Sequence, residues 1–67
     1  MNINIRDYIK NNFKDSSIEE LKDSILASIE SKDEVVLPGL GVLFEVLWNK
    51  STTDSQNEIL TILHDNM

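Results

Sequence analysis

The sequence predicts a small all-α domain of about four short helices packed around a central apolar helix over residues 39–50. Three observations lead there. Apolar residues recur at helical spacing in three segments, with polar, cap-rich stretches between them. The segment "LPGLGVLFEVLW", 37–48, is apolar nearly throughout in an otherwise acidic, Asn- and Ser-rich chain. The 67 residues give one small domain with no boundary and no internal repeat. At that size a single core is marginal without a staple or a partner.

In the first segment Ile5, Tyr8, Ile9 and Phe13 fall on one helical face, with Asn2 or Asn4 available as cap. Arg6, Lys10 and Lys14 recur every fourth residue on another face. As a solvated stripe it places cations toward the helix C-terminus, where the dipole favours them. As a functional stripe it would meet phosphate or an acidic partner.

The second segment opens on a capping box, Ser17 with Glu20, or Ser16 with Glu19 in the neighbouring register. Ile18, Leu21, Ile25 and Ile29 carry the stripe to an end near Ser31. A polar turn, "SKDE", follows. Pro38 belongs at a helix start or turn. Gly39 and Gly41 permit unusual dihedrals or close backbone contact.

Leu40, Leu43, Phe44 and Leu47 then fit a helix, while Val42, Phe44, Val46 and Trp48 alternate as in a strand. Periodicity leaves both open over 42–48. No second strand is evident to pair with it, and a lone hairpin is only marginally stable, so the helix is favoured. Glu45 is the only charge between Glu34 and Lys50. It is the exposed position of a central helix, or a carboxylate paired with a Lys or Arg.

The last segment starts at Thr53 with Gln56, or Ser55 with Glu58, as capping box. Ile59, Ile62 and Leu63 form its inner face, and "HDNM" is expected to fray. The expected core joins Leu40, Leu43, Phe44, Leu47 and Trp48 to Ile5, Ile9, Phe13, Leu21, Ile25, Ile29, Ile59 and Leu63. On that reading Phe44→Ala would cost about 3–5 kcal/mol.

The chain has no Cys, which excludes disulfides and thiolate metal sites. One histidine, His64, does not make a metal site by itself. No segment reaches the roughly 18–20 apolar residues of a membrane span. The first residues lack the charged and apolar regions of a secretory signal. The expectation is a soluble intracellular protein.

Net charge is −6, unevenly spread. Over residues 1–14, Arg6, Lys10 and Lys14 against Asp7 leave +2; over 15–67, three lysines against eleven acids leave −8. Nucleic-acid affinity rests on phosphate neutralisation, so DNA binding is disfavoured unless the Arg6, Lys10, Lys14 face carries it. No spacing converges a base and a nucleophile, and "PGLG" lacks the Lys and Ser or Thr of a phosphate loop. The residues point to a non-enzyme with no cofactor, metal or small-molecule ligand.

"LPGLGVLFEVLWNKS", Leu37 to Ser51, closely resembles the signature of the I-type minor small acid-soluble spore proteins of endospore-forming bacteria. "MNINIRDYI", "SSIEELKDSILASIES" and "SQNEILTIL" sit in that family's order and spacing, so the resemblance covers nearly the whole chain. Two features depart from it. The family commonly has a Gly in the turn before the block, where this chain has Ser31 to Glu34, and the tail here is short.

The resemblance implies a sporulation protein, cytoplasmic in the forespore and kept in the mature spore core. Its role there is structural or storage, with no catalytic or cofactor residues. The signature and core residues are Leu37, Pro38, Gly39, Leu40, Gly41, Val42, Leu43, Phe44, Glu45, Val46, Leu47 and Trp48. The block is large for the helices available to cover it, which points to a homodimer or to contact with another spore-core protein. Two helices followed by "GLGVLFEV" also look like the helix pair and strand of histone-like DNA-bending proteins, but the basic β-arms are missing.

Overall fold

The computed structural model describes residues 4–67. Four α-helices follow one another: α1 (Ile5–Phe13), α2 (Ile18–Ser31), α3 (Leu37–Lys50) and α4 (Thr53–Asp65). A 3-10 turn, Glu34–Val36, leads into α3. The all-α expectation holds, and the 42–48 run is helix: among the described residues there is no strand.

The helix starts follow local chemistry. Asn4 caps α1, its side chain accepting from the Asp7 N–H at 3.1 Å; the alternative cap Asn2 lies outside the described residues. Ser17 and Glu20 form the reciprocal capping box of α2, each side chain accepting from the other's backbone N–H at 3.1 and 3.2 Å. Asp33 caps the 3-10 turn by accepting from the Val35 N–H. Pro38 stands in the first turn of α3, where its missing N–H costs nothing.

α2 ends at Ser31 because Lys32 turns into the left-handed region, φ 54° and ψ 22°. That is the helix-terminating conformation that glycine adopts without steric cost.

Some expectations are corrected. The cap of α4 is Thr52, accepting from the Ser55 N–H, and neither Thr53 nor Ser55 serves. Gln56 is free to reach back across the corner, donating through Nε2 to the Trp48 carbonyl at 2.9 Å. α4 runs through Asp65, and the Asn66 side chain donates to the Ile62 carbonyl at its end. Gly39 and Gly41 lie inside α3 with negative φ, and a Cβ at either would meet nothing within 4 Å. They serve neither an unusual dihedral nor a close approach within this chain.

The largest correction concerns the core. α1 lies across α3, and no other two helices pack as extensively. Only Val42 is buried among the described residues. Phe44, Leu47, Ile5, Ile29 and Leu63 are exposed, at 41 to 57% of their surface. Leu40, Leu43, Trp48, Ile9, Phe13, Leu21, Ile25 and Ile59 are half-buried. The physical reason is geometric. A helix apolar nearly all round needs neighbours on every side, and α1 covers one side only.

The radius of gyration is 13.3 Å, against about 11 Å for a compact domain of this length. Accessible surface is 5981 Å², against about 4,300 Å² for a folded monomer of this mass. Residues 1–3 supply at most about 500 Å² even as extended chain, at ~1.45 Å² per dalton. More than about 1,000 Å² of surplus surface therefore belongs to residues 4–67.

Candidate functional site

The signature block falls wholly within α3. Its residues divide by side. Val42 faces inward, with Leu40, Leu43, Glu45 and Trp48 half-buried around it. Leu37, Phe44, Val46 and Leu47 stand at the surface. Phe44 stacks on Trp48 at the i, i+4 spacing of one helix face, ring centroids 6.1 Å apart and planes at 28°.

Glu45 is not the solitary exposed charge of a central helix. Arg6 of α1 grips it as a two-pronged fork, Nε to Oε1 at 2.9 Å and Nη2 to Oε2 at 3.2 Å. The paired reading is the observed one. The hydrogen bond first, then Coulombic attraction, pushes the Arg6 guanidinium pKa up. The pair is open to solvent, with 66% of the Arg6 and 45% of the Glu45 side chain exposed. Its effect is to fix α1 in angle and register on α3.

Beside this pair lies a groove of about 560 Å³ between α1 and α3. Phe13, Leu21, Leu43 and Val46 supply its apolar lining. Lys10, Lys14 and Lys50 stand at its edge with Arg6. The predicted stripe is thus brought together, but its members are unequal. Arg6 is neutralised by Glu45, and Lys50, which spacing did not single out, completes a set of three cations. Sequence offered no signal for Lys50, because only the crossing of α1 on α3 brings residue 50 near residues 10 and 14. A smaller groove of about 330 Å³ opens elsewhere along α1 and α3, with Ile5, Tyr8, Pro38, Gly39 and Leu40 among its lining residues.

Chemically the larger groove offers apolar surface and positive charge. Among the described residues no group of three or more His, Cys, Asp or Glu could hold a metal ion. His64 is exposed on α4, next to Asp65 at 3.4 Å. Among the same residues no helix is long and apolar enough to cross a membrane.

The profile of the family described as small, acid-soluble spore protein I matches residues 3–67. The chain belongs to that family. It is 40% identical over 67 residues to small, acid-soluble spore protein I of Bacillus licheniformis, covering 100% of this chain and 96% of the relative. It is 40% identical over 63 residues to the proteins of the same name from Bacillus subtilis and a Geobacillus species, covering 94% of this chain and 89% of each. No solved structure matches the chain. The resemblance read from the signature block is therefore shown by the comparisons, and family members are spore proteins rather than a known class of enzyme.

Proposed function

We propose that this member of the small acid-soluble spore protein I family is a non-enzymatic component of the spore core that works through protein contacts. The observation that carries the contact reading is the surplus of apolar surface. Phe44, Val46 and Leu47 on α3, with Leu60, Ile62 and Leu63 on α4, remain 39 to 63% exposed. Exposed large apolar side chains gathered on two helices of so small a chain favour an interaction surface over free surface. The signature block supplies the α3 part of that surface, and the Arg6, Lys10, Lys14 face lies beside Val46 as part of a partner site.

The DNA-binding alternative gains nothing from the fold. Arg6 is engaged by Glu45, and net charge is −6, leaving Lys10, Lys14 and Lys50 as a small phosphate footprint.

Two measurements test the proposal. Acid extraction of dormant spores stripped of their coats should recover the protein from the core fraction; recovery only from coats or mother cells would refute the location. An environment-sensitive apolar dye should bind the isolated dilute chain, and Val46→Glu should reduce that binding. A chain that binds no dye and scatters as a compact sphere would refute the contact reading.

A further inference from the structure

We propose that the partner is a second copy of this chain, and that each copy lays its α4 into the α1–α3 groove of the other. The inference deepens the protein-contact reading and rests on it. The two surfaces left uncovered on one chain are complementary.

The groove has an apolar lining, Phe13, Leu21, Leu43 and Val46, edged by Lys10, Lys14 and Lys50. α4 has the opposite character. Ile59, Leu60, Ile62 and Leu63 form one face, of which Leu60, Ile62 and Leu63 are 42 to 63% exposed. Between Thr53 and Asp65 the helix carries Asp54, Glu58 and Asp65 and no Lys or Arg. At about 100° per residue these three acids fall within about 40° of one another, along one flank of the apolar face. Three acids beside an apolar stripe thus meet three lysines beside an apolar groove. An amphipathic helix in a groove is a recurrent mode of recognition, and opposite charge sets its register and partner.

The helix does not reach its own groove. No residue of α4 lines it. The corner after α3 is tied by Gln56 to the Trp48 carbonyl and by Ser51 to the Leu47 carbonyl. With only Ser51 and Thr52 between α3 and α4, that corner directs α4 away. A reciprocal exchange satisfies both copies by a two-fold axis, the commonest closed symmetry. The area suffices: a standard interface buries about 800 Å² per partner, within the surplus of more than about 1,000 Å².

The test uses light scattering with circular dichroism on the full chain and two single variants. Val46→Glu spoils the groove and Ile62→Glu spoils α4; both positions are exposed in the single chain, so helicity should persist. The wild type should scatter at twice its 7.7 kDa mass, and each variant alone at the single mass. Mixed, the intact groove of the Ile62→Glu chain should take the intact α4 of the Val46→Glu chain, restoring a two-chain species.

A wild type that stays single from micromolar to millimolar concentration overturns the proposal. So do variants that remain paired, or a mixture that forms no complex. A single-chain wild type that still binds the apolar dye would end self-pairing alone, leaving the protein-contact reading standing. One that binds no dye would end both.

Discussion

Arg6 and Glu45, 39 positions apart, form a two-pronged ion pair that sets α1 across α3. It joins the first basic residue of the α1 stripe to the one charge inside the apolar block. Both the groove and its ring of lysines depend on that crossing.

Glu45→Gln and Arg6→Ala should each loosen α1 without melting α2 or α4. Amide hydrogen exchange within Ile5–Phe13 should quicken, while exchange in α4 is unchanged. The reversal Arg6→Glu with Glu45→Arg should recover much of the protection. The sign with respect to pH is simple. A guanidinium pushed upward contributes wherever arginine is charged, and the contribution is lost only as pH rises past the ordinary arginine range. Titration of Arg6 therefore adds no pH dependence near neutrality, whereas high salt should mimic the mutations, because solvent-exposed pairs are screened. Uniform exchange in the variants would show that the pair does not hold α1.

Val42 should outrank Phe44 in stability. Val42→Ala removes two buried methyl groups from the best-packed position and should cost about 2 kcal/mol. Phe44 is 41% exposed, and Phe44→Ala in dilute protein should cost about 1–2 kcal/mol, the worth of its stacking on Trp48 plus partial burial. Denaturant unfolding compares the two. A Phe44→Ala cost of about 3–5 kcal/mol would return Phe44 to a closed core.

Gly41→Ala should stabilise the chain by about 0.5–1 kcal/mol, because a helical glycine spends backbone entropy and a methyl group there meets open space. A loss of stability on the same substitution would mean that another surface comes close to Gly41.

Lys32→Gly should raise stability by about 0.5–1 kcal/mol, relieving a left-handed residue at the end of α2. A glycine at this position would take the left-handed conformation without the steric cost that Lys32 carries. An unchanged or lower melting temperature would argue against a left-handed Lys32.

The helices were largely legible in the sequence, and the core was not. Ser17 with Glu20 marked the start of α2, because a capping box is a local device with a fixed spacing. Pro38 marked the start of α3 for the same kind of reason. At α4 the spacing offered Thr53 and Ser55, and the cap is Thr52, one residue earlier, which has no Glu or Gln at its N3 position to mark a capping box. Burial failed because it is a tertiary property. Phe44 and Leu47 lie on the right stripe, yet the chain brings too few helix faces to cover α3. The basic stripe was legible as Arg6, Lys10 and Lys14, but neither Glu45 as its counter-charge nor Lys50 as its third free cation follows from spacing.

The central claim is that α4 of one copy occupies the groove of another, and intermolecular relaxation tests it most directly. The chain has no Cys, so Thr61→Cys gives a unique place for a spin label on the side of α4 opposite its apolar face. Mixed with isotope-labelled wild type, the spin label should broaden the amides of Leu43, Val46 and Asn49 and spare α2 near Ile29. Equal intensities at Leu43 and Val46 with the label oxidised or reduced would contradict the account.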